Sequence, residues 1–299
     1  MEALVNHPRT LWQRLFDALL RINADVLNDS SAAIAQTVNG TVAAQLKKHI
    51  RRIETEAIDP ITGLVDYTRL RASTLFREYR ILTAQLPAFA LDRLATREEK
   101  LAFWLNLYNA LIIDGIIHFG IRETVREDAG FFRRVAYNVG GFRFSADDIE
   151  HGILRANAGH PVIPGPQFGK HDPRRCFALE HTDFRIHFAL VCGAKSCPPV
   201  SFYDADRIDF QLDLAARNSL NQEVEIDPDR QMIRLSRLLQ WYSSDFGADA
   251  WVKSGLGDKS PLLRAISSYL LDDSMRTFIE TYAGTVKVGF KAYDWTLNG

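Results

Sequence analysis

Apolar positions recur at helical spacing from near the start of the chain. Within residues 10–22, Leu11, Leu15, Ala18 and Leu19 fall three and four apart, which predicts an amphipathic helix. Asp29-Ser30-Ser31 offers caps for a second helix running to about Thr55, whose basic stretch 47–52 lies toward its C-terminal dipole. After a turn at 59–63, the spacing of Leu70, Leu75, Tyr79 and Leu82 predicts a third helix over 67–85. The next segment, 98 to about 119, is apolar nearly all round and reads as a central buried helix. Asn106 and Asn109 lie about one turn apart inside it, and buried amides need hydrogen-bond partners. They either tie the helix to segments packed on it or line a site.

Strand signals follow. Val139-Gly-Gly-Phe142 predicts a hairpin within 131–144, and Ser145-Ala-Asp-Asp148 matches a capping box opening a short helix to Arg155. Residues 159–173 form a Pro/Gly-rich loop long enough to be a lid candidate. Arg185-Ile-His-Phe-Ala-Leu-Val-Cys192 is apolar on both faces, which predicts a central strand. A helix over 206–220, a hairpin over 223–235, helices over 235–242 and 262–282, and a strand over 286–293 complete the pattern. The expected fold is a helix-rich α+β class, with a central buried helix packed on a short mixed or antiparallel sheet. Residues 1–60 read as a helical N-terminal extension and 61–299 as the core domain.

Charge and composition narrow the function classes. The formal net charge is −1, from 36 Lys+Arg against 37 Asp+Glu, so nothing argues for a general nucleic-acid partner. No apolar run approaches the roughly 20 residues of a membrane span; the longest, 110–119, is broken by Asp114 and Gly115. The first residues carry Glu2, Asn6, His7 and Arg9 where a signal peptide needs an apolar stretch, and three cysteines do not make a disulfide framework. A cytoplasmic, reduced protein is expected. No Gly-rich phosphate loop or Gly-x-Ser-x-Gly elbow occurs, and no cofactor is called for.

Reactive side chains concentrate in His187-Phe-Ala-Leu-Val-Cys-Gly-Ala-Lys-Ser-Cys-Pro-Pro199. On a strand His187 and Cys192 would face opposite sides, with Lys195, Ser196 and Cys197 in a turn at its end. A thiol becomes nucleophilic when a cation or imidazole lowers its pKa, and Lys195 and His187 are the candidates to do so. Glu150, Asp183, Asn106 and Asn109 are residue types able to orient the imidazole. The plainer alternative makes His187 a satisfied core histidine and Cys197 a buried small residue, with Cys176 and Cys192 structural. No metal site is expected: His187, Cys192 and Cys197 lack zinc-ligand spacing, and Glu150 and His151 are adjacent rather than helically spaced.

Phe103-Trp-Leu-Asn-Leu-Tyr-Asn-Ala110, Ser145-Ala-Asp-Asp-Ile-Glu-His-Gly-Ile-Leu-Arg155, the His187–Pro199 segment, Leu235-Ser-Arg-Leu-Leu-Gln-Trp-Tyr242 and Tyr293-Asp-Trp-Thr-Leu-Asn298 occur in that order. Together they resemble the successive motifs of the domain-of-unknown-function family numbered 547, from about residue 63 to the C-terminus. The resemblance implies a distant papain-like or transglutaminase-like fold. It also implies that Cys197 is the nucleophile and His187 the base, with Glu150 or an Asn as the orienting group. The leading expectation is a cysteine-dependent hydrolase or acyl transferase acting on an amide or thioester of a small-molecule or peptide substrate. Asn106, Asn109, Lys195 and His151 are the candidate substrate-binding residues. The rivals are a non-catalytic interaction or small-ligand-binding module, and a thiol redox protein using Cys192 and Cys197. The redox role requires Cα atoms within about 7 Å.

Overall fold

The computed structural model describes residues 10–23, 25–29, 42–59 and 62–299. The expected caps at Ser30 and Ser31 and the start of the second helix lie outside them. Helix α1 (Leu11–Leu19) begins at Thr10, whose side chain accepts from the Gln13 N–H. It is followed by α2 (Val42–Ala57), α3 (Tyr67–Ala72) and α4 (Thr74–Thr83). The single helix expected over 67–85 is two, because Ser73 is extended (ψ 153°) and its hydroxyl caps α4 at the Phe76 N–H. Helix α5 (Arg97–Phe119) opens with a Thr96/Glu99 capping box and stops at left-handed Gly120.

The chain divides into two compact units, and the first comprises residues 1–182, 190–208 and 295–299. Its core is α5, buried from Leu101 to Ile117 but for Phe103. Among the described residues α5 is the one helix long and apolar enough to cross a membrane, and its apolar surface is covered by the protein instead. Asp114, fully buried within it, accepts two 2.9 Å bonds from Arg80 and one of 2.6 Å from the Tyr137 hydroxyl. Burial raises the Asp114 carboxyl above its ordinary range against the pull of Arg80. Helix α6 (Phe131–Arg134) leads into the antiparallel hairpin β1 (Ala136–Val139) and β2 (Phe142–Ser145). Its two-residue turn, Gly140-Gly141, has positive φ at both positions, as a turn matching the strand twist requires. Trp104 of α5 meets Phe144 of β2 at 4.8 Å, so the hairpin packs on the central helix.

The Ser145–Asp148 capping box forms as expected, with reciprocal 3.1 Å bonds, and opens a π-helical turn over Asp148–Leu154. Helix α1 is amphipathic as expected, yet Leu11, Leu15 and Leu19 are exposed while Gln13 is buried. Its polar side has specific partners: Gln13 donates to Gln167 at 3.1 Å, and Asp17 pairs with Arg133 at 2.6 Å.

Residues 183–189 and 209–294 form the second unit. Most of α7 (Ile208–Glu223) belongs to it. The expected hairpin appears as β3 (Glu225–Asp227) and β4 (Met232–Leu235), and β5 (Lys287–Phe290) adds parallel to β4. Helix α8 (Arg237–Trp241) follows. The helix expected over 262–282 is split into α9 (Ser260–Ser267) and α10 (Asp273–Tyr282), because Asp272 starts the second as N-cap. Leu220, Ile233, Leu235, Leu262 and Ile279 make the core of this unit. The fold is thus helix-rich α+β with, among the described residues, two small sheets and a buried apolar helix.

One strand expectation is overturned. Residues 185–192 do not enter a sheet: Phe184–Phe188 is a 3-10 turn capped by Asp183, and the chain continues irregularly to Cys192. Continuous apolarity recorded burial, which an irregular core segment satisfies as well as a central strand does.

Candidate functional site

Loss of the strand removes the alternation that set Cys192 apart. Its thiol lies 2.8 Å from that of Cys197, and the Cys192 N–H donates to Cys197 Sγ at 3.1 Å. Gly193 makes this loop possible, because its φ is +84° and a Cβ there would stand 2.7 Å from Ile116 Cδ1. Tertiary pairing holds the loop open from the other side. Lys195 N–H donates to Thr296 O at 2.8 Å, Asn298 N–H to Gly193 O at 3.0 Å, and Ala194 bridges Leu297. Both cysteines are half-buried rather than sealed in the core.

The Tyr67 hydroxyl donates to Asn298 Oδ1 at 2.6 Å. Burial first, then the charges of Cys197 and Cys192, push its phenol above the ordinary tyrosine range. Lys195, between the cysteines in sequence, is an exposed cation on this loop. Cys176 is exposed elsewhere, with its thiol donating to Pro173 O at 3.0 Å.

His187 belongs to the second unit and Cys197 to the first. The imidazole is 2% exposed, places Nε2 2.8 Å from Asp245 Oδ2 and stacks on Tyr242 at 4.0 Å. Asp245 thus orients this histidine in the way proposed for Glu150. It escaped sequence reasoning because it stands 58 positions away inside an aromatic cluster. Asp183 pairs with Arg185 at 2.6 Å.

Glu150 accepts from the Tyr108 hydroxyl at 3.1 Å and lies 3.6 Å from His151 Nδ1. Asn109 Oδ1 accepts from Val191 N–H at 3.0 Å, which ties α5 to the residue before Cys192. Asn106 clamps the Tyr203 backbone, donating to its carbonyl at 2.8 Å and accepting from its N–H at 2.9 Å. Both amides therefore perform the tying role, and Asn106 also borders a cavity.

His151 meets Asp147 and His160, with one potential ligand atom of each within 4.8 Å of the others. The four-residue spacing of Asp147 and His151 on a helix is the sequence signal for this cluster, which the Glu150–His151 adjacency does not carry. The donor set suits hydrogen bonding better than a cation. Arg155 Nη1 lies 3.1 Å from His151 Nδ1, and a guanidinium can only donate, so the ring proton of neutral His151 sits on Nε2. His160 Nδ1 accepts from the Val162 and Ile163 N–H groups, which puts its proton on Nε2 too. Each ring then offers an N–H where a metal needs a lone pair.

Residues 91–220 match the family model described as "Protein of unknown function, DUF547", so this segment is similar to that family. The match spans the core of α5, the Ser145 capping box and the cysteine loop. No curated protein and no solved structure matches the chain. The papain-like fold therefore draws on nothing beyond the resemblance itself.

Proposed function

We propose that the Cys192–Cys197 loop is a thiol–disulfide exchange site, with Cys197 as attacking thiol and Cys192 as resolving thiol. The observation that carries this reading is the 2.8 Å separation of the two sulfurs. A disulfide holds its sulfurs about 2.05 Å apart, so closure needs only a small shift of the loop. The N–H of Cys192 on Cys197 Sγ supports the assignment of roles.

In the reductive direction the Cys197 thiolate attacks one sulfur of a substrate disulfide. The S–S bond breaks, one substrate thiolate leaves and takes up a proton, and a mixed disulfide forms on Cys197. The Cys192 thiolate then attacks Cys197 Sγ and releases the second substrate thiol, leaving the Cys192–Cys197 disulfide. An external dithiol returns the pair to its reduced form. A cytoplasmic setting would supply such a reductant.

The test is peptide mapping by mass spectrometry after equilibration of the native full chain in glutathione buffers of graded ratio. The expected product is the Cys192–Cys197 disulfide, with Cys176 outside it. In C192S a mixed disulfide with glutathione should accumulate on Cys197. Absence of the internal disulfide under oxidising ratios sinks the redox reading. The amide or thioester hydrolase reading shares Cys197 as nucleophile and separates cleanly, since turnover of a thioester would survive C192S and be lost in C197S.

A further inference from the structure

A cavity in the first unit, independent of the cysteine loop, has a volume of about 760 Å³. That lies within the roughly 300–1,000 Å³ of small-molecule sites. Its walls are apolar: Phe89 and Phe103, half-buried and stacked at 4.8 Å with an interplanar angle of 6°, stand among Ala88, Ala90, Leu94 and Ala102. Asn106 borders it with both amide atoms already engaged by the Tyr203 backbone, which leaves a largely apolar interior.

Charge is confined to the lining residues Lys47, Arg93 and Glu99, and its balance is positive. Glu99 has its carboxylate turned onto the Ala95 and Thr96 N–H groups at 2.9 and 3.0 Å, at the positive end of α5. Lys47 pairs with Asp204, but Asp204 also serves Arg51 at 3.0 Å, so two cations share one carboxylate. Arg93 is exposed and makes no ion pair among the described residues. An apolar interior with cations in excess matches an amphiphile bearing one negative head group. We infer that this cavity binds an amphipathic carboxylate, with its apolar chain against Phe89 and Phe103 and its head group at Arg93 and Lys47.

The probe is dodecanoate, titrated calorimetrically into the full chain below its micelle concentration, with dodecanol and dodecyltrimethylammonium as neutral and cationic counterparts. Dodecanoate should saturate at one per chain, with the counterparts about tenfold weaker or more. Arg93→Glu should weaken dodecanoate by about tenfold, and Ala90→Trp should narrow the space beside Phe89 and weaken binding. Both positions are exposed, and circular dichroism melts check that each variant folds. Three outcomes overturn the inference: no saturable binding, equal binding of the ammonium or alcohol analogue, or dodecanoate binding unchanged in Ala90→Trp.

Discussion

His187 and Cys197 stand ten residues apart in one segment, and their settings are opposite. His187 is buried, with Asp245 on one ring nitrogen and Tyr242 across its face. Cys197 is half-buried on a loop braced by the C-terminal residues, with the Cys192 thiol as its close neighbour. The first arrangement is what a satisfied core histidine requires. In the second, reactive groups are held close together and left accessible, which is a condition for chemistry. Proximity in sequence therefore grouped two side chains whose roles divide by exposure and by partner.

The contrast breaks most sharply at Asp245. Asp245→Ala leaves the His187 ring buried without its acceptor, and urea unfolding should show a loss of about 3–4 kcal/mol. A loss under 1 kcal/mol would mean that this pair is not a structural element of the second unit. Gly193→Val should rank next. It combines a non-glycine residue at φ +84° with a clash on Ile116, for a cost of about 2–3 kcal/mol. The same variant should also slow internal disulfide formation, which mapping after brief diamide treatment reads directly.

Oxidation tests the cysteine end alone. Closing so short a loop removes unfolded-state entropy worth about 2 kcal/mol in the chain model. The oxidised protein should gain up to that amount in urea unfolding, and C192S should gain nothing under the same oxidant.

A smaller effect is expected at alkaline pH. Burial and the neighbouring cysteine charges raise the Tyr67 phenol above its ordinary range. Its contribution is therefore complete below the ordinary tyrosine value of about 10 and is lost as pH rises through the folded value. Wild type should lose about 1 kcal/mol relative to Tyr67→Phe one pH unit above 10. Parallel curves would remove Tyr67 from the environment of the thiols. Least of all, Leu19→Ser on the exposed face of α1 should shift stability by no more than about 0.5 kcal/mol.

Where side-chain pattern and local chemistry agreed, the residues alone were enough. Apolarity nearly all round α5 demanded a buried helix, the Ser145–Asp148 spacing demanded a capping box, and Gly140-Gly141 demanded a tight hairpin. These rest on contacts within a few positions, and the chain carries them in its order. Tertiary structure decided the rest. Residues 185–192 are apolar enough for a central strand, but the 3-10 turn at Phe184–Phe188 and Gly193 direct them elsewhere. The Asp245–His187 pair spans 58 positions and the Gly193–Asn298 pairing joins the cysteine loop to the last residues. Such long-range partners leave no periodic trace. The order of residues therefore determined which side chains could react, and long-range packing determined that Cys197 faces Cys192 while His187 faces Asp245.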